Sequence, residues 1–113
     1  GASAFIVFAM PRSITARTRN LIGGHLIGLL VGSLFGLFLP SSTLLRAAAY
    51  ASCVGVTTFL MVTTDTEHPP AAGTALGVAM MSLSPTVAIS VVISVVALAL
   101  AHHLLKPRLT DLV

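Results

Sequence analysis

The chain has 113 residues, of which 56% are hydrophobic and only 8% are charged. A soluble domain carries about 25% charged residues, and one small core could not bury this much apolar surface. The composition therefore excludes an ordinary soluble domain and predicts an integral membrane protein in a lipid bilayer. The net charge of +3 does not indicate nucleic-acid binding, because the basic residues form two short clusters between apolar stretches with few aromatic residues nearby.

The chain begins with a short apolar segment, 1–10, which as a helix would cover only about half of a bilayer core. Pro11 ends this segment, and a polar loop with three arginines and no acidic residue follows over 11–20. Residues 21–39 are long and apolar enough for the first full span.

The first span carries a glycine at every fourth position. This spacing aligns the glycines on one face of a helix and predicts a close contact with another helix. The four residues concerned are Gly24, Gly28, Gly32 and Gly36. The partner helix belongs either to the same chain or to a second copy, and in the second case the glycine face would join a homo-oligomer.

The second half of the chain repeats the order of a short helix followed by a full span. Residues 44–63 form the second span, and a short helix is expected over 69–83, with two prolines in its first turn, where their missing N–H groups cost nothing. Ser84 and Pro85 have the N-cap and N1 pattern that precedes a helix. The last span is expected over 86–105.

The predicted fold class is all-α: one integral membrane domain over 1–113, with three full spans and two short half-helices or re-entrant helices. Residues 1–5 align weakly with 72–76, which is compatible with an inverted repeat whose first helix would precede Gly1. With loop 11–20 in the cytoplasm and the second short helix emerging on the other side, five of the six basic residues are cytoplasmic, as the positive-inside rule requires. In the alternative topology the second short helix returns to the same side.

One stretch with two acids, a histidine and a double proline interrupts the apolar chain, over 64–77, and the candidate site is predicted there. Half-helices beginning at 1–3 and 70–74 could direct their free N–H groups and positive dipole ends at one spot near mid-membrane, and such a spot attracts an anion. The candidate substrate-binding residues are His68, Ser3, Thr74, Ala71, Ala72 and Gly73. The alternative is that these small residues only permit close helix packing.

His68 could donate to an anion, relay protons, or bond a backbone carbonyl at the helix break. The candidate proton relay consists of His68, Glu67, Asp65 and His25. Carboxylates repel an anion, so Asp65 and Glu67 would be protonated, face the vestibule, or pair with Arg17 or Arg19. A cation or proton pathway through the two acids and His68 is the alternative.

Other ionisable groups are given no role in the candidate site. His102 and His103, at the end of the last span, are expected to be solvated. The sequence predicts no metal site, no cofactor and no catalytic arrangement, so an enzyme is the least supported class.

Two motifs resemble the HPP family of integral membrane proteins, which is named for its His-Pro-Pro sequence. Glu67-His68-Pro69-Pro70-Ala71-Ala72-Gly73-Thr74-Ala75-Leu76 is similar to the family signature, and Asn20-Leu21-Ile22-Gly23-Gly24-His25 is similar to the motif before the family's second helix. The segment Gly1-Ala2-Ser3-Ala4 and Pro11 resemble the part that precedes it. Asp65 and Glu67 depart from the basic or neutral residues expected there.

The resemblance implies a small bundle of about four or five helices whose first helix would precede Gly1. It also implies nitrite transport, because some plastid and cyanobacterial members are implicated in nitrite uptake. The chain is thus predicted to be a transporter or channel for a small monovalent anion, nitrite favoured, in a bacterial inner membrane or a plastid envelope. The alternative is a non-transporting oligomeric membrane module.

Overall fold

The computed structural model of this chain describes residues 1–81 and 84–113, and it is built from helices. Five α-helices follow one another: α1 (Ala2–Ala9), α2 (Thr18–Leu37), α3 (Thr43–Thr63), α4 (Pro70–Met81) and α5 (Pro85–Leu105). Two short 3₁₀ helices, Ile14–Ala16 and Lys106–Arg108, lie before α2 and after α5. The described residues contain no strand, so the predicted all-α fold class is confirmed.

Three of the helices are long and apolar enough to cross a membrane, as predicted. They are α2, α3 and the segment Pro85–Arg108, which extends α5. A helix of 20 or 21 residues spans about 30 Å, the thickness of a bilayer core. Helix α4 is apolar but has only 12 residues, so it crosses part of that thickness.

The first span begins and ends earlier than the predicted range 21–39. Helix α2 already begins at Thr18, because Arg19 and Asn20 find polar partners on the connection between α3 and α4 and can therefore join the helix. The helix ends well before Pro40, since a proline disfavours helical backbone in the residue before it.

The two short helices differ from the predicted ranges by about one residue at each described end. Helix α1 covers Ala2–Ala9 rather than 1–10, and α4 begins at Pro70 rather than at 69. The predicted end of α4 at 83 lies outside the described residues. Ser84 caps α5 as predicted: its hydroxyl oxygen accepts a hydrogen bond of 3.2 Å from the backbone N–H of Val87.

The glycine face of α2 is covered by α4 of the same chain. The facing pairs are Gly28 with Ala71, Gly32 with Ala75, and Gly36 with Ala79. Residue numbers rise together along both helices, so α4 runs parallel to α2. The partner of the glycine face is thus within the chain, which corrects the alternative that this face joins two copies.

Helices α1 and α5 run in the opposite direction to α2. Val7, near the end of α1, and Ala99, near the end of α5, both belong to a buried cluster with Leu21 at the start of α2. At the other end of α1, Ser3 lies beside His25, one turn further along α2. The pair α1–α2 and the pair α4–α5 therefore have opposite directions, as an inverted repeat predicts.

The loop after α1 and the end of α5 lie at the same end of the bundle. The ring nitrogen Nε2 of His102 donates to the carbonyl oxygen of Pro11 over 3.1 Å, and the N–H of Leu112 donates to Ala9 over 2.8 Å. His102 is buried by this contact, so the prediction that it is solvated is wrong, whereas His103 is exposed. Five of the six basic residues gather at this end, and which side of the membrane it faces stays a prediction.

Because α2 and α4 are in such close contact, one methyl group added on the glycine face should destabilise the bundle. A Cβ added at Gly28 would lie 2.5 Å from the backbone carbonyl oxygen of Ala71, which cannot move without shifting α4. We expect Gly28→Ala to destabilise the bundle by about 1–3 kcal/mol, measured as helix loss by circular dichroism during denaturation in mixed micelles.

Gly55→Ala is the matched control for this substitution. Gly55 lies in α3, and a Cβ added there meets nothing within 4 Å. Alanine is favoured over glycine in a helix by about 1 kcal/mol, so Gly55→Ala should be neutral or stabilising. Equal stability of the two variants would contradict the close packing of α4 on the glycine face.

Candidate functional site

The connection between α3 and α4 is seated on the first turns of α2. The side-chain amide of the buried Asn20 donates to the carbonyl oxygen of Glu67 over 3.1 Å. A Cβ added at Gly23 would lie 2.7 Å from the Thr66 side chain, and one at Gly24 would lie 2.9 Å from Cβ of His68. The two sequence motifs therefore pack on each other, and the glycines are needed because the connection occupies the space of their side chains.

The contacts between the connection and α2 also fix how far His68 lies from the start of the span. Gly24 is six residues into α2, which begins at Thr18. With a rise of 1.5 Å per residue, His68 lies about 9 Å from the start of the span. The polar connection therefore reaches into the depth of the helices, where irregular backbone is tolerated because protein surrounds it.

Asp65 is turned away from His68 and out of the bundle. Its backbone has φ of 54°, in the left-handed region. Its carboxylate accepts a hydrogen bond of 3.0 Å from Arg19, which also donates to the carbonyl oxygen of Thr64 over 2.9 Å. The predicted pairing of Asp65 with an arginine of the loop region is thus confirmed for Arg19. Both side chains are largely exposed, so the pair adds little stability.

The two acids do not assemble with His68 into a relay. Neither carboxylate of Asp65 or Glu67 is hydrogen-bonded to the His68 ring, and Glu67 contributes its backbone carbonyl, to Asn20. Within the described ranges there is also no cluster of three metal-ligating side chains. The alternative pathway through Asp65, Glu67 and His68 therefore has no continuous chain of contacts.

His68 is fully buried and bonded at both ring nitrogens. Its Nδ1 donates to the carbonyl oxygen of Thr15 over 2.8 Å, and its Nε2 lies 2.9 Å from the hydroxyl oxygen of Ser3.

His25 approaches the same hydroxyl from α2. Its Nε2 lies 3.4 Å from the oxygen of Ser3, and its Nδ1 donates to the carbonyl oxygen of Leu21 over 2.9 Å. The rings of His25 and His68 are close neighbours, with centroids 5.0 Å apart. Of the predicted relay, the structure brings together His25 and His68, with Ser3 between them.

A cavity of about 460 Å³ opens beside this group. Four helices and the residue before α1 form its wall, with these lining residues: Gly1, Ala2, Ser3, His25, Pro70, Gly73, Thr74, Ser90, Val91, Ser94, Val95 and Leu98. Of the predicted substrate-binding residues, Ser3, Gly73 and Thr74 share this wall. His68 is not in the wall itself, but it is bonded to Ser3, which is.

Ala71 and Ala72 do not offer the free N–H groups that were predicted. Their N–H groups donate to the carbonyl oxygens of His68 and Pro69, over 2.8 and 3.1 Å. Ala71 is moreover fully buried against Gly28. The half-helix begins with a tight turn that uses these donors, so hydroxyl groups take their place in the cavity.

Ser90 and Ser94 line the cavity and are missing from the predicted site. They stand four residues apart on α5, hence on one face of the helix. The sequence did contain a signal for them, because two polar residues at this spacing stand out in a span of valine, isoleucine and alanine. In the described part of the chain their hydroxyls have no protein partner, whereas Ser33 and Thr57 bond a carbonyl of the preceding turn.

Comparisons with known proteins agree with this architecture. The family described as HPP, transmembrane region, matches residues 1–109. Two transmembrane proteins of Dictyostelium discoideum are 40% and 36% identical to this chain over 75 residues, which is 66% of this chain and 26% and 24% of theirs. The chain thus spans about a quarter of the length of these relatives.

No solved structure matches the chain. The family match nevertheless extends over nearly all of the residues that build the bundle and its cavity, and the chain is an integral multi-pass membrane protein that belongs to the HPP transmembrane family.

Proposed function

We propose that this chain forms the membrane part of a transporter or channel for a small monovalent anion, with nitrite as the favoured substrate. The observation that carries the proposal is the cavity where the N-terminal ends of α1 and α4 come together. The two helices run in opposite directions away from this point, so the aligned peptide dipoles of both point their positive ends toward it, although the first N–H groups of α4 are already bonded. Two such ends at one cavity favour an anion there.

The wall of the cavity is also suited to an anion. Hydroxyl groups of Ser3, Thr74, Ser90 and Ser94 come from three helices, and a hydroxyl can donate to an anion without a fixed charge. No lining residue in the described ranges carries a carboxylate. Arg19 holds the carboxylate of Asp65 on the exposed side of the connection, and Glu67, the other acid that counted against an anion site, does not line the cavity.

The size of the cavity admits a small anion together with water. A water molecule takes up about 30 Å³ in the liquid, so a cavity of about 460 Å³ leaves room for part of the hydration shell. Nitrite itself is proposed from the resemblance to HPP members implicated in nitrite uptake, and a bacterial inner membrane or a plastid envelope is the proposed location.

His68→Ala is the first test of the proposal. The substitution removes the ring that orients the hydroxyl of Ser3 at the cavity wall. We expect nitrite uptake into proteoliposomes to fall by about tenfold or more, since a hydrogen bond to a charged group contributes about 1.5–3 kcal/mol. His103→Ala, at an exposed position, serves as control. If His68→Ala takes up nitrite as fast as the unmodified chain and with the same pH dependence, the proposal is wrong.

The serines of α5 supply a second test. The double substitution Ser90→Ala and Ser94→Ala removes two donors from the cavity wall and leaves the apolar lining in place. We expect nitrite uptake to fall by about tenfold to a hundredfold, with unchanged elution of the protein from a sizing column.

Ser52→Ala is the matched control for the serines. Ser52 is exposed on α3 and does not line the cavity, so uptake should stay at the level of the unmodified chain. If the unmodified chain moves no more nitrite than protein-free liposomes, the chain is a non-transporting module and the proposed function is wrong.

A further inference from the structure

Two histidines face one hydroxyl group at the edge of the cavity. The Nε2 atoms of His25 and His68 lie 3.4 and 2.9 Å from the hydroxyl oxygen of Ser3. The other ring nitrogen of each, Nδ1, lies within 2.9 Å of a backbone carbonyl, that of Leu21 for His25 and that of Thr15 for His68. A carbonyl oxygen only accepts hydrogen bonds, so both Nδ1 atoms carry a hydrogen, whatever the charge of the ring.

The number of hydrogens available between these three groups decides how they hold a proton. With both rings neutral, each Nε2 is an acceptor, and the single hydroxyl hydrogen of Ser3 can serve only one of them. One additional proton completes the chain: one ring then donates to Ser3, and Ser3 donates to the other ring. With a second additional proton, both rings would donate to the oxygen of Ser3, whose own hydrogen would have to turn away from both rings. The second proton would also place two positive charges on rings 5.0 Å apart.

We propose that His25 and His68 hold a single exchangeable proton, shared through Ser3, and that this proton enters and leaves together with the transported anion. When the proton passes, the N–H bond at Nε2 of His25 breaks as a bond to the oxygen of Ser3 forms. Ser3 simultaneously gives its own hydrogen to Nε2 of His68. The positive charge moves from one ring to the other, Ser3 stays neutral, and no atom is oxidised or reduced.

The proton arrangement assigns a role to His25 and Ser3 that the anion site alone does not require. A charged ring at the cavity wall offsets the charge of an entering anion, and release of the proton with the anion returns the site to neutrality. The coupling of proton and anion rests on the proposed function, whereas the shared proton rests on the geometry of the three side chains.

Of the charged groups near the two rings, none is hydrogen-bonded to either ring. On the connection, Asp65 is paired with Arg19 of α2, and Glu67 carries the second carboxylate. The 3₁₀ helix that supplies Thr15 is followed by Arg17. The side chains of α1 and α4 and the cavity-lining residues of α5 carry no titratable group.

The shared proton is tested by nitrogen NMR of the full chain with isotope-labelled histidine in lipid nanodiscs. We expect the Nε2 signals of His25 and His68 to shift together in one step that totals one proton, with a second step at least about one pH unit lower. His25→Gln and His68→Gln assign the signals. Two independent titrations of one proton each, with no joint step, would overturn the shared proton.

Variants of Ser3 separate a bridging hydroxyl from a merely structural residue. Ser3→Ala should turn the joint step into two separate titrations, and Ser3→Thr, which keeps the hydroxyl, should restore the joint step. The signals of His102 and His103 should not respond to either change, because these residues lie at the far end of α5 from Pro85. A joint step that persists in Ser3→Ala contradicts the bridge.

The coupling to the anion is measured separately, as nitrite uptake driven by a pH gradient and by a membrane potential. In His25→Gln we expect uptake driven by the pH gradient to fall by about tenfold or more relative to uptake driven by the potential. An equal response of His25→Gln and the unmodified chain to the pH gradient overturns the coupling. Absence of uptake by the unmodified chain overturns the coupling and the proposed function together, while the NMR titration still decides the shared proton.

Discussion

The structure depends on one close contact, in which the backbone of α4 lies directly on the glycine face of α2. No side chain separates Gly28 from the carbonyl of Ala71. In a bilayer, where lipid tails are as apolar as side chains, such close backbone packing is a main source of helix association. The contact makes α4 parallel to α2, so α3 must return the chain to the start of α2. The chain then has to break and re-enter the bundle, which sets the position of His68 beside Gly24.

The break in the chain creates polar groups inside the bundle that must find partners there. Buried polar groups without partners cost several kcal/mol in an apolar environment (about 2–7), and the connection between α3 and α4 meets this demand locally. Asn20 donates a hydrogen bond to the carbonyl oxygen of Glu67, and His68 is hydrogen-bonded to Thr15 and Ser3. The same bonds that satisfy the break therefore bring α1 to it, and the meeting of the two short helices is a consequence of their polar groups.

Much of the bundle could be predicted from the sequence, because its determinants are local. Length and apolarity define the spans, the four-residue spacing of the glycines defines a contact face, and Ser84 with Pro85 marks the start of α5. These features need only neighbouring residues, and they were predicted within a few residues.

The site was predicted less completely, because its details depend on residues far apart in the chain. The donors of Ala71 and Ala72 are used by the turn before them, and His102 is buried by Pro11, 91 residues away. Ser90 and Ser94 contribute to the cavity only because α5 packs antiparallel to α2. The periodicity of one segment does not indicate which distant residues will contact it.

Under the proposed function, a cavity wall of hydroxyls and histidines, rather than lysine or arginine, would let the site both accept and release an anion. A fixed cation in a medium of low dielectric constant binds an anion strongly, and conduction requires binding that is weak enough to be undone. No described residue of the cavity wall carries a lysine or arginine side chain.

Five of the six permanent positive charges lie instead at one end of the bundle, on the loop after α1, at the start of α2 and after the end of α5. Under the proposed function, these charges would raise the local concentration of anions at that end without holding an anion inside the cavity. Under the proposed function, dipole ends and hydroxyls would supply a modest attraction in the cavity, and the proposed shared proton would be the one charge that the site can change.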